Sequence, residues 1–284
     1  MNIILLIISP LLGTGRSVFT KKMSSGSSDK KSFYMRQGLL FLSAAIAMFL
    51  FDLDAFVNIT WLTVVYAMVY GVFVVLSQCY YSIALERGPT SICAMIYSFA
   101  FVFPAVSGAI FWDEPFGIIS VIGIALAIMA IIATAFSGEK DAKKGNEFLI
   151  PNIVAMLCGS FLGLGQKMHQ SSPDKPNLAA FLILANLLAT VVMFLLAYRQ
   201  PSRTSEKSKM VYSIPAGVCY GGVSFVNTLL AGRMPSSIVF PAQNLGLMMM
   251  CLVAGMLVFK EKLTKPQIIA ICLGVLAIVV LSFE

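Results

Sequence analysis

The chain has 284 residues, of which 58% are apolar and only 12% charged, with a formal charge of +7. An ordinary soluble domain carries roughly 25% charged residues, so this composition excludes a soluble enzyme or binding domain and implies a protein that passes repeatedly through a bilayer. The basic residues form no patch interleaved with aromatic side chains, which excludes a nucleic-acid partner.

A bilayer core about 30 Å thick needs roughly 20 apolar residues per helix. Ten such stretches follow one another, at 2–19, 34–51, 61–84, 89–111, 115–136, 148–166, 177–198, 210–231, 235–259 and 264–282. A membrane barrel alternates over about ten residues per strand, whereas these runs are continuously apolar over longer lengths. The expected fold class is therefore all-α, a polytopic membrane protein of ten transmembrane helices. The first stretch lacks a basic leader and a small-residue cleavage site, so it reads as a span and not as a secretory signal.

Polar residues inside such spans cost free energy and are functional candidates. In span 1, Arg16 has two readings: its long stem lets the guanidinium snorkel to the interface, or it is a counter-ion for an anionic substrate. Span 3 places Tyr66, Tyr70, Phe73, Ser77 and Tyr81 on one helical face, with Gln78 beside it. Tyr66 and Tyr81 also suit an interfacial aromatic belt, whereas Tyr70 and Gln78 are deeper. Span 4 carries Ser91, Tyr97 and Ser98. After it, Glu114 and Pro115 read as the start of the fifth helix, with the carboxylate at the positive end of that helix.

Small residues spaced four apart, Gly123 and Ala127 in span 5 and Ala270 and Gly274 in span 10, suit close helix packing. The polar segment 137–147 is the expected linker between domains 1–136 and 148–284. At the end of span 6, Gln166, Lys167 and His169 read as loop-edge residues. Span 8 brings Tyr220 and Asn227. Span 9 brings Ser237 and the adjacent amides Gln243 and Asn244, preceded by Pro241, which removes a backbone donor and can kink the helix. The alternative for these polar residues is interhelical hydrogen bonding, typically worth under about 1 kcal/mol.

The six cysteines fall singly inside spans and read as small apolar residues. Without clustered Cys and His at ligand spacing, no metal is expected, and nothing points to a cofactor. There is also no nucleophile–base pair or phosphate-cradling loop, so an enzyme is not expected.

The chain is also written twice. Lys22-Met23 and Asp29-Lys30 recur at a nearly constant offset as Lys167-Met168 and Asp174-Lys175. Met48-Phe49-Leu50 recurs as Met193-Phe194-Leu195, and Arg87, Pro89, Ser91 and Glu114 recur as Arg233, Pro235, Ser237 and Glu261. With five spans per copy, an odd number, the second copy enters the membrane upside down, a pattern of many secondary transporters. Lys and Arg crowd the loops joining spans 1-2, 3-4, 5-6, 7-8 and 9-10, whereas the alternate loops hold Lys167, Lys175 and Arg233. The positive-inside rule then makes the crowded loops cytoplasmic and leaves both termini outside.

The run ALERGPTSICAMIYSFAFVFPAVSGAIFWDEPF, Ala84 to Phe116, and its partner from Leu230 to Val280 resemble the helical hairpins of EamA-domain transporters in the drug/metabolite transporter superfamily. The resemblance covers essentially the whole chain, as two inverted five-helix repeats. It implies a cavity lined by spans 1, 3, 4, 6, 8 and 9, and a multi-pass protein of the cell membrane. The chain departs from the family in closing spans 4 and 9 with Asp113-Glu114 and Lys260-Glu261 in place of Gly-Glu. Relatives are also expected to keep their termini in the cytoplasm, against the charge pattern here.

The expected function is secondary transport of a small organic metabolite or drug-like solute by alternating access. The substrate-binding candidates are Arg16, Tyr70, Gln78, Tyr81, Tyr97, Ser98, Tyr220, Asn227, Gln243 and Asn244. Such a set suits amino acids, nucleobases or amphipathic cations. The expected partners are that small molecule, with or without a coupling proton or cation, and the lipid bilayer; monomer and homodimer are equally open. A flippase for lipid-linked saccharide headgroups and a non-transporting receptor or scaffold are the alternatives.

Overall fold

The computed structural model describes residues 2–24, 29–57, 59–135, 146–201, 207–260, 265–281 and 283. Glu261 and almost all of the 137–147 linker lie outside these residues. Ten long helices succeed one another among the described residues: α1 (Asn2–Ser24), α2 (Lys30–Phe51), α3 (Trp61–Arg87), α4 (Thr90–Phe111), α5 (Ile118–Ala135), α6 (Leu149–Gln170), α7 (Leu178–Tyr198), α8 (Ser213–Ala231), α9 (Ser236–Phe259) and α10 (Lys265–Leu281). Strands are absent from the described residues. Eight of these helices are long and apolar enough to cross a membrane, and α5 and α10 hold shorter apolar stretches, Ile118–Ala130 and Ile271–Leu281.

The helix ends follow local chemistry. Asp29 caps α2, its carboxylate accepting from the Ser32 amide at 3.2 Å and the Ser32 hydroxyl at 2.9 Å, which satisfies a donor the helix cannot pair internally. Those bonds also hold the Asp29 carboxyl below its ordinary pKa. Thr60 caps α3 in the same way through the Thr63 amide, at 3.2 Å. Gly88-Pro89 separates α3 from α4, because the residue before a proline is pushed out of helical geometry.

Proline acts where the sequence reading does not place it. α9 continues unbroken through Pro241, whereas α4 tightens into a 3₁₀ turn at Phe99–Phe101. There Pro104 has no N–H for the Ala100 carbonyl, and its ring crowds that carbonyl.

Several of the main helix contacts pair up when α1–α5 are exchanged for α6–α10. α3 packs on α6 as α8 packs on α1; α3 packs on α7 as α8 packs on α2; α4 packs on α6 as α9 packs on α1. The pairs α2–α7, α4–α9 and α5–α10 each map onto themselves. Two apolar cores result. One gathers residues of α2, α3, α7 and α8 around Phe41, Phe181 and Met193; the other gathers residues of α4, α5, α9 and α10 around Phe101, Ala127 and Met248.

The outer face is apolar, with Ile3, Ile7 and Leu11 of α1 and Trp61, Val69 and Val72 of α3 exposed, while Arg16, Gln78, Gln166 and Gln243 are buried. In water this reverses the usual order of apolar inside and charged outside; in lipid it is the stable one. The protein is a multi-pass membrane protein.

Candidate functional site

A cavity of about 80 Å³ lies between α1, α3 and α4 of the first half and α6, α8 and α9 of the second. Small residues open it: Pro10 and Gly13 on α1, Ala100 and Pro104 on α4, and Gly159 and Gly163 on α6. Bulk is not tolerated there. A Cβ on Gly159 would stand 3.0 Å from the Tyr97 hydroxyl, and one on Gly163 would stand 3.1 Å from Pro104 Cβ and 3.3 Å from the Phe240 ring.

Seven of the sequence candidates line this cavity: Arg16, Tyr70, Tyr97, Tyr220, Asn227, Gln243 and Asn244. The other three support it from behind. Gln78 accepts from Arg16 Nε at 3.0 Å and also from Nη2. Its own amide nitrogen donates to Ser82 Oγ at 3.3 Å, and Gln37 donates to the same hydroxyl at 2.7 Å. Tyr81 shares a hydrogen bond with Ser17 at 3.1 Å and packs on Tyr97. Ser98 donates to the Asn244 carbonyl at 3.0 Å, tying α4 to α9.

Arg16 does not snorkel. α1 runs on to Ser24, so the guanidinium lies about two turns inside the helix end, and the residue is 6% exposed. It sits among three tyrosine rings, 4.8 Å from the centroid of Tyr220, 5.3 Å from Tyr81 and 5.8 Å from Tyr97. Cation–π attraction partly offsets the cost of desolvating it. Tyr81 is thus no interfacial belt residue; it is 1% exposed.

Gln166 and its neighbours are corrected as well. Gln166 is buried, lines the cavity and donates to the Tyr70 hydroxyl at 3.0 Å. His169 is buried and stacks on Phe181, with ring centroids 4.3 Å apart. Gln166 thus belongs to the cavity wall, whereas His169 lies in the last turn of α6, at the loop edge, though buried. Asn244 turns its amide nitrogen to the Phe240 carbonyl of its own helix at 2.9 Å. Gln243, 3% exposed, has an amide nitrogen without a partner among the described residues. Ser9, which bonds Asn227, and Ser224 also line the cavity; two small hydroxyls in apolar helices left no sequence signal.

Beyond Gly163, Lys167 pairs with Glu114 and donates to the Ala231 carbonyl at 3.0 Å. Glu114 in turn accepts from the Ser236 amide at 2.7 Å. Its carboxylate therefore complements the N-terminus of α9, not of α5, which begins only at Ile118. The chain folds back over Gly108 to allow this: a Cβ there would stand 2.7 Å from that of Ser236. One ion pair thus joins α6 and the α4–α5 connection to the start of α9.

The overall fold is similar to that of a protein whose crystal structure is solved, with a TM-score of 0.72 and 14% identity over 99% of this chain and 96% of that one. No curated protein matches the chain. Residues 149–283 match the EamA-like transporter family. The part of the chain after residue 148 is thus similar to EamA-like transporters.

Proposed function

We propose that the protein is a secondary transporter that moves a small organic solute across the cell membrane by alternating access, with the cavity between the halves as its site. The observation that carries this is the shared lining: α1, α3 and α4 from one half face α6, α8 and α9 from the other, so relative motion of the halves opens or closes the space between them. The halves are residues 1–136 and 148–284, ten spans in two inverted repeats, with both termini outside. The paired helix contacts and the family match to residues 149–283 support that division. The volume, about 80 Å³, favours a metabolite of a few heavy atoms over a drug-sized ligand, which needs about 300 Å³ or more.

The Lys167–Glu114 pair closes one end. It lies one turn past Gly163 and bridges elements of both halves, so opening that end separates a buried lysine from its half-buried carboxylate and the solute's binding energy must offset the separation. Flux into proteoliposomes holding only the purified protein tests the reading. Saturable uptake of a small metabolite, lost on replacing Gln243 and Asn244 by Ala, is the expected result. No uptake of any member of a broad metabolite panel would refute it.

A further inference from the structure

We infer that the solute is a small monocarboxylate, held by Arg16 and Gln243; this rests on the transport reading above and names its substrate class. Arg16 is the one charged side chain among the residues lining the cavity, and none of the lining residues is a carboxylate. Among the described residues its hydrogen-bond acceptor is the single neutral oxygen of Gln78, taken by Nε and Nη2. A guanidinium carries five N–H donors in a planar fork, so three remain. A buried cation without an anion is costly, and the three tyrosine rings compensate it only in part. A carboxylate entering the cavity meets the fork in the bidentate geometry that arginine favours.

A second donor stands ready independently. Gln243 is 3% exposed, lines the same cavity, and its amide nitrogen has no partner among the described residues. Buried donors of this kind are normally satisfied. An oxygen-rich anion satisfies it, whereas a cationic solute leaves it unpaired and faces Arg16 as a like charge. One cation matches one negative charge. The cavity volume limits the rest of the solute to a few heavy atoms, and the Tyr70, Tyr97 and Tyr220 rings offer its apolar part a wall.

The test uses purified full-length protein in detergent. Thermal unfolding is followed with acetate, lactate, pyruvate and benzoate, each against its primary amide, and with inorganic phosphate and tetramethylammonium at equal ionic strength. A ligand of the folded state raises the melting temperature. At least one monocarboxylate is expected to stabilise the protein while its amide does not. Arg16→Gln should weaken that acid at least 30-fold, Arg16→Lys less, and Gln243→Leu about tenfold.

Circular dichroism checks that each variant folds, and the acid–amide contrast in the unaltered protein needs no variant. Equal stabilisation by acid and amide, preference for phosphate or tetramethylammonium, or undiminished acid binding by folded Arg16→Gln would each overturn the assignment. So would a panel in which no acid binds. Proteoliposome flux separates the two levels: uptake of a neutral or cationic solute with no uptake of acids defeats the anion and leaves the transporter standing, whereas no flux of any class defeats both.

Discussion

Asp113 and Lys260 stand at matching positions after α4 and α9, and they are the two described non-glycine residues with positive φ, 48° and 56°. Glycine reaches this left-handed region without penalty, whereas a side chain crowds its own carbonyl there. A glycine at either position would adopt this backbone without that cost.

Lys260→Gly should therefore stabilise the protein, because the left-handed penalty it relieves, about 1–2 kcal/mol, exceeds the added unfolded-state entropy of glycine, about 0.4–1 kcal/mol. Asp113→Gly should gain less, because Asp tolerates this conformation better than Lys. Thermal unfolding of the two variants in one detergent gives the comparison. Alanine at Lys260 should bring no such gain.

The buried ion pair gives a second prediction. Glu114→Gln leaves Lys167 buried without a counter-charge, which costs about 3–5 kcal/mol in comparable cases. Adding Lys167→Met should recover part of that loss, since the uncompensated charge disappears. A double-mutant cycle on unfolding free energy reads the coupling, and additive losses would show that the two charges do not interact.

Ten helices were legible because continuous apolar runs of membrane length have few other readings, and Tyr70, Tyr97, Asn227 and Gln243 stood out as polar groups within such runs. The position of Glu114 was not legible. Its partners, Lys167 and the Ser236 amide, belong to the other half of the chain, and no local pattern announces contacts across so many residues. Gln166 was hidden by its neighbours: Lys167 and His169 suggested a helix edge, although Gly159, Leu162, Gly163 and Gln166 mark one face of α6. The apparent depth of Arg16 depended on where α1 ends, and helix ends are the least certain feature of a sequence reading.

Gln243 and Asn244 separate along these lines. Asn244 spends its amide donor on the Phe240 carbonyl, whereas that of Gln243 has no partner among the described residues. Gln243→Ala should lower transport about 5- to 150-fold, the equivalent of about 1–3 kcal/mol for a lost buried hydrogen bond. Asn244→Ala should lower it less. Initial uptake rates at subsaturating solute decide the order.

Space is as restrictive as polarity. Gly159→Val puts methyl groups against the Tyr97 hydroxyl, which lies 3.0 Å from where even a Cβ would stand. Loss of uptake together with a lowered melting temperature is the expected outcome, because a Cβ alone already crowds Tyr97 and Ala100 and overpacking costs about 1–3 kcal/mol.

The most direct test of a central, alternately open site is the reactivity of one cysteine within it. In a variant lacking the six native thiols, Ser224→Cys places a thiol in the cavity wall between the halves. A membrane-impermeant thiol reagent should label it when applied from either face of sealed vesicles, more slowly with the transported solute present. Labelling from one face only, at a rate the solute leaves unchanged, would contradict a transport site at this position.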